Sequence, residues 1–340
     1  MDHMGEHNSP LLKMSMKNTM DHQNNINTQR RSIFKQLAIF STASAAFGFS
    51  DQAISSESSQ CGIQGNEEPE FLPVPQHNPA VEGMFKVSPE QDLYYWDTGG
   101  TGHVIVLIHP GRGSAFSWPY QQTTFADAGF RTIAYSRRGH QGSPIISSVN
   151  SSTDADDLND LLTFLKVDKF HAVALAAGGF TLSDFAVSFS DKLLSMTIVC
   201  SLFGLWDKDI DARSDFILSK GFSDLPPEFK ELGAAYRFAH PEGVEAWRKM
   251  EQKAKEKGLR NRQKGKNKVT WEKLRALKIP TFMITGGADL YQPPSMMRAA
   301  ARQLPGTKTL VVPEADHALQ WEQPVLFNKK VLSFIRSLTR

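Results

Sequence analysis

The sequence predicts an α/β fold: a mostly parallel sheet with helices on both faces and an inserted helical lid. Three observations carry this. From about residue 81 onward, short apolar runs alternate with stretches of helical periodicity, the pattern of strands joined by crossover helices. Runs such as Val104-Ile105-Val106-Leu107-Ile108 are apolar at every position, as strands covered on both faces must be. One long stretch, from Leu205 to Leu277, has helical character and no comparable strand.

The elements follow in order. Residues 83–97 alternate polar and apolar before Asp97-Thr98-Gly99-Gly100, which fits an antiparallel opening pair. Strands are expected over 104–108, 130–135, 170–175, 193–200, 281–285 and 309–312. Leu158, Leu161, Leu162 and Leu165 recur at helical spacing, with Thr153 and Asp156 as a capping box. Pro226-Pro227 opens helical material carrying Phe229, Leu232, Tyr236, Phe238 and Trp247, read as a lid over about 205–277. The last helix starts at Pro324, a favoured first-turn residue, and Phe327, Val331, Phe334 and Leu338 mark its buried face.

Composition narrows the function classes. The chain has 340 residues, 40% of them hydrophobic, including 22 Phe, enough for a sizeable core. With 38 Lys+Arg against 36 Asp+Glu, it lacks the basic excess of a nucleic-acid binder. No cofactor is expected: Gly99-Gly100-Thr101-Gly102 and Gly286-Gly287 have neither dinucleotide nor phosphate-loop spacing. No metal is expected either, since no His/Cys/Asp/Glu group has ligand spacing. The two cysteines, Cys61 and Cys200, read as free thiols or as one bridge.

The first 80 residues differ from the rest. Arg30-Arg31-Ser32-Ile33-Phe34-Lys35 precedes a short apolar core, Leu37 to Phe40, and a run of small residues. This resembles a twin-arginine export signal; the alternative is a basic patch before a small surface helix. The expected organisation is a targeting segment over 1–50, a polar linker over 51–80 and the folded domain over 81–340. The protein is then exported, to the periplasm, with the export machinery as its partner.

Three loops after buried strands carry the chemistry. The first is His109-Pro110-Gly111-Arg112-Gly113-Ser114, where a backbone amide can meet a substrate oxygen. The second, Ala174-Leu175-Ala176-Ala177-Gly178-Gly179, is a strand–turn–helix junction built of small residues. The third is a pair, Asp289 in Gly286-Gly287-Ala288-Asp289 and His317 in Glu314-Ala315-Asp316-His317. A carboxylate holding one imidazole nitrogen leaves the other as a base.

In this order of parts, residues 81–340 resemble the α/β-hydrolase family. The resemblance implies that Gly111 and Ala177 supply oxyanion amides, that Asp289 orients His317, and that His317 is the general base. Tyr135-Ser136-Arg137-Arg138-Gly139-His140-Gln141-Gly142-Ser143 resembles the loop after the family's fourth strand, with Ser136 where Asp is usual. One departure governs the function. The family's elbow reads G-x-S-x-G, and here Ala176 stands at the nucleophile. A methyl group cannot attack a carbonyl, and loss of the serine costs on the order of 10⁶ in kcat in a serine protease. Ser114, Ser183, Cys200 and Ser201 lie near but outside the elbow.

Three readings follow. The chain is a hydrolase-like enzyme acting on a small carbonyl compound through His317 and Asp289, by ester or lactone hydrolysis or by proton-transfer or lyase chemistry. Or it is a binding module for a small molecule, or a serine hydrolase disarmed by an engineered Ser-to-Ala change at 176. His109 and His171 read as structural and His140 as a rim residue. The lid aromatics read mainly as packing. The stretch from Arg248 to Lys268, with ten basic and two acidic residues, reads as a solvated face or as a site for an anionic surface or substrate.

Overall fold

The computed structural model describes residues 72–146, 152–205, 212, 216–256 and 263–338. The chain divides into two compact units, Met1–Asn66 and Glu67–Arg340. The first unit lies outside the described residues, and with it the export-signal reading, most of the linker and Cys61.

Among the described residues, eight strands form one sheet in the order β1-β2-β4-β3-β5-β6-β7-β8. They are β1 (Val81–Ser88), β2 (Gln91–Asp97), β3 (Val104–Ile108), β4 (Arg131–Tyr135), β5 (Phe170–Leu175), β6 (Leu193–Val199), β7 (Thr281–Gly286) and β8 (Lys308–Val312). Strand β2 pairs antiparallel with β1 and β4, and the pairs from β4 to β8 are parallel.

The apolar runs are continuous because successive side chains enter different cores. Val106 and Ile108 join one core while Ile105 and Leu107 join the other, and β5 divides in the same way. Helices α2 (Asp154–Phe164), α3 (Gly178–Ser188), α7 (Trp271–Leu277) and α8 (Pro294–Gln303) cover the first face. Helices α1 (Pro119–Asp127) and α10 (Pro324–Arg336), with the short α9 (Leu319–Glu322), cover the second. Thr153 caps α2 by accepting from the Asp156 amide at 3.2 Å, and three aspartates in the first turn suit the helix dipole.

The lid is helical as expected: α4 (Pro227–Glu231), α5 (Ala234–Ala239) and α6 (Pro241–Lys253). They pack Leu232, Tyr236, Val244 and Trp247 against Tyr120, Ala318 and Trp321. Several expectations are corrected. Helix α7 buries Leu274 in the main core, so it belongs to the body and not to the lid. Leu338 lies past the end of α10 and is 37% exposed. Phe238 is 92% exposed, at the edge of a small surface pocket with Tyr236 and His240 and away from the core. Residues 72–80 pack on the domain: the Tyr120 hydroxyl donates to the Leu72 carbonyl at 2.9 Å, and the Asn78 amide to Gln122 Oε1 at 2.9 Å.

The loop after β4 is held by a buried ion pair. Arg138 donates from two nitrogens to both oxygens of Asp157, each at 2.7 Å, and both side chains are almost fully enclosed. Removing one member leaves the other charge buried without its partner, a cost of about 3–5 kcal/mol. Arg138→Ala is therefore expected to lower unfolding stability by about that amount in urea titration. A loss below about 0.5 kcal/mol, the level of a surface substitution, would show that the pair contributes nothing net.

Candidate active site

The site is built at the carboxyl ends of the parallel strands, where open α/β sheets bind ligands. Strand β5 runs into a turn at Ala176, which adopts φ +50°. A non-glycine residue in this left-handed region costs on the order of 1–3 kcal/mol and persists only where its surroundings impose it. Here the Ala176 amide donates to Val199 O at 2.8 Å, and Ala176 O accepts from Gly179 at 2.9 Å. The neighbouring glycines are obligatory: a Cβ on Gly178 would strike the Ile108 carbonyl, and one on Gly179 would strike Ser201. The strained elbow is therefore retained although its residue is alanine.

The structure places Ala176 and Ala177 at the end of β5 beside the loop of Gly111, and it joins Asp289 to His317 at the ends of β7 and β8. A Cβ on Gly111 would sit 3.5 Å from that of Ala177, so the loops after β3 and β5 are in contact. His317 Nδ1 lies 3.1 Å from each oxygen of Asp289. Asp289 Oδ1 also accepts from the amides of Tyr291 and Gln292 at 2.9 and 2.8 Å, and Oδ2 from the Thr285 hydroxyl at 3.3 Å. These donors fix the carboxylate, which fixes the ring. With Nδ1 so engaged, Nε2 is the nitrogen left for chemistry.

Electrostatics set the protonation state. Burial works to deprotonate His317, but the charge of Asp289, then those of Glu231 and Asp316, outweigh it and push the imidazole up to about 9. Burial alone would raise Asp289, yet the His317 charge and the hydrogen bonds hold it below the usual carboxylate range. Both shifts favour an imidazolium beside a carboxylate in the resting pair.

The other serines and the thiol do not replace the missing hydroxyl. Ser114 caps the turn at Phe116, and Ser183 donates to Gly179 O at 2.5 Å. Ser201 is buried under Gly179. Cys200 is a free, buried thiol, driven well above its ordinary pKa by burial and by the charge of Asp289, so it is neutral and unreactive. Its sulfur, Asp289 and His317 offer donor atoms within 4.8 Å of one another. Spacing along the chain could not reveal this cluster, because its members come from three different loops. The carboxylate and Nδ1 are already joined by their own hydrogen bond and the thiol keeps its proton, so the trio reads as a dyad with a neutral neighbour.

His109 is structural: Nδ1 lies 2.7 Å from Pro110 O and Nε2 accepts from the Arg137 amide at 3.0 Å. His140 contacts the His109 ring at 4.4 Å and Gly113 O at 2.7 Å, which braces the loop after β3. His171 is buried in β5 against the Ser195 hydroxyl. Phe229 carries the Arg237 guanidinium over its ring at 4.1 Å. From the basic stretch, Arg248 pairs with Glu228 and Lys266 with Asp156.

Sequence reasoning missed a charged group that ties the lid to the loop after β3. Arg112, in the loop after β3, pairs with Glu251 of α6 at 3.0 Å and with Glu231 of α4 at 3.4 Å. The Tyr291 ring lies 4.6 Å from that of His317. No motif flags Glu231 or Glu251, since they reach the site only through the lid. A cavity of about 430 Å³ borders the elbow at Ala177, lined among others by Arg137, Thr181, Phe203, Leu205 and Gln263.

The chain belongs to the α/β hydrolase family, whose model matches residues 105–330. It is 24% identical over 213 residues to 3-oxoadipate enol-lactonase 1 of Acinetobacter baylyi, covering 62% of this chain and 80% of that one. Among solved structures it resembles a thermophilic esterase from Thermogutta terrifontis, with a TM-score of 0.60, 22% identity and coverage of 76% and 99%. It also resembles the enol-lactonase from Burkholderia xenovorans LB400, with a TM-score of 0.56, 19% identity and coverage of 73% and 98%.

Proposed function

We propose that this protein hydrolyses a small ester or lactone by direct attack of water, with His317 as the general base and no covalent acyl-enzyme. One observation carries the reading. The His317–Asp289 dyad is fully formed, with 3.1 Å contacts, beside an elbow that keeps its strained φ of +50° although alanine has no nucleophile to present. The lactonase name of the Acinetobacter relative supports the lactone half of the reading. The twin-arginine-like segment supports export of the folded domain.

In the reaction, a water beside Ala176 gives a proton to His317 Nε2 as its oxygen bonds to the carbonyl carbon. The carbonyl oxygen takes the negative charge, facing the amides of Gly111 and Ala177. The C–O bond to the leaving group then breaks, and the departing alkoxide takes the proton back from His317. The products are an acid and an alcohol, or a hydroxy acid from a lactone.

Turnover in ¹⁸O-labelled water tests this: one labelled oxygen enters the product acid, and intact-mass spectra show no acyl adduct. A ligand that raises the melting temperature and returns unchanged would identify a binding module instead. The pH dependence follows from the protonation state. The base is the neutral imidazole, and the neighbouring carboxylates hold His317 at about 9. The rate is therefore expected to rise about tenfold per pH unit through neutrality and to level off near that value. A profile already flat from pH 6 upward would contradict a base held protonated.

A further inference from the structure

A buried carboxylate outside the dyad holds the loop that carries His317. Glu322 ends α9 and is 2% exposed. Its Oε1 accepts from the amide of Asp316, the residue before His317, at 2.9 Å. Its Oε2 accepts from the amide of Gly233, in the turn between lid helices α4 and α5, at 2.9 Å. Burying a carboxyl group is costly unless it is hydrogen-bonded, and here two backbone donors engage both oxygens. The contacts around it leave the loop little freedom. Asp316 Oδ1 accepts from the amide of Leu290, the residue after Asp289, at 3.1 Å, and the Ala318 amide donates to the Glu231 carbonyl at 2.8 Å. Both chain neighbours of His317 are thus tied through their amides. Glu314 enters the loop at φ +60°, a strain that persists only where the surroundings impose it. Gly233 has no room for a side chain: a Cβ there would lie 2.6 Å from Glu314 O and 2.9 Å from Glu322 Oε2.

We infer that Glu322 is a positioning residue for His317: one side chain clamps the lid turn and the histidine loop together and so sets the imidazole against Asp289. The inference rests on the proposed function for its catalytic meaning, while its structural content stands by itself. The chemistry of the side chain matters. A carboxyl group offers an acceptor on each oxygen, whereas a glutamine amide offers one acceptor and an NH₂ donor. Glutamine at 322 would therefore set an N–H against one of the two backbone amides and release either the loop or the turn. What the loop must hold is the 3.1 Å approach of Nδ1 to both oxygens of Asp289. A reacting group displaced by about 1 Å can lose on the order of 10² in rate.

The test is the ¹⁵N chemical shift of His317 Nδ1, which reports its hydrogen bond to Asp289, in the intact protein and in Glu322→Gln, Glu322→Asp and Gly233→Ala, with thermal melts of each. Glu322→Gln is expected to move the Nδ1 shift towards that of a free imidazole and to lower kcat by about 10–100-fold with little change in KM. Glu322→Asp keeps both acceptors on a shorter stem and is expected to lie between that variant and the parent. Gly233→Ala leaves the carboxylate in place, wedges the turn away from the loop and is expected to move the shift in the same direction. A residue that only stabilised the fold would lower the melting temperature and leave the ring shift and kcat of the folded protein unchanged. An unmoved Nδ1 shift in folded Glu322→Gln overturns the inference. If that variant fails to fold, an unmoved shift in Gly233→Ala overturns it. The ring shift needs no turnover. A moved shift in a protein that hydrolyses nothing would sink the proposed function and spare this inference; hydrolysis with an unmoved shift would do the reverse.

Discussion

Replacing His317 with alanine is expected to lower turnover of esters and lactones by about 10²–10⁴-fold, the usual contribution of a positioned general base. In the proposed mechanism, with no serine at 176, His317 takes the proton from water, and the rate enhancement left in the variant comes from the Gly111 and Ala177 amides and from binding. The fold should survive, because Asp289 keeps the amides of Tyr291 and Gln292 and the Thr285 hydroxyl as partners. The measurement is kcat on a panel of activated esters and lactones, with thermal melts of both proteins. Unchanged kcat in a folded variant would remove His317 from the mechanism and the proposed hydrolysis with it.

Ala176→Ser is expected to create a serine nucleophile. The parent should resist fluorophosphonate, and the variant should be labelled at residue 176. The physical reason is that the expensive parts are already in place. The backbone holds φ +50°, glycines at 178 and 179 let helix and strand approach, and the dyad is aligned. Only one oxygen is missing. Activated esters should then be cleaved faster, by up to the roughly 10⁶-fold that loss of the serine costs in subtilisin. If the variant labels while the parent turns over nothing, the site is a hydrolase site disarmed at one atom, and ligand binding or an engineered knock-out becomes the better account. If the variant neither labels nor gains rate, the elbow does not present residue 176 to the substrate.

Much of this site was legible because its parts are local. Each loop follows an apolar run, and the small residues of Ala176-Ala177-Gly178-Gly179 announce a turn too tight for side chains. The dyad could be read because strand-end placement fixes where Asp289 and His317 must stand. Glu231, Glu251 and Arg112 were not legible as a group. The lid helices carry no strand-end constraint, and a glutamate in a polar helix looks like any solvated residue until packing turns it inward. The cluster of Cys200, Asp289 and His317 was invisible for the same reason, since its members lie on separate loops. Phe238 erred in the other direction: an aromatic residue in helical material suggests burial, and the lid leaves it outside.

The sequence by itself determined the α/β sheet, the order of its strands along the chain, the strained elbow, the dyad and the absence of a hydroxyl at residue 176. These follow from periodicity, turn chemistry and residue identity, which are properties of short segments. Tertiary structure alone decided the protonation of His317 and the company it keeps. Burial and the charges of Asp289, Glu231 and Asp316 act through space, and the distances that govern them exist only once the lid is docked on the sheet.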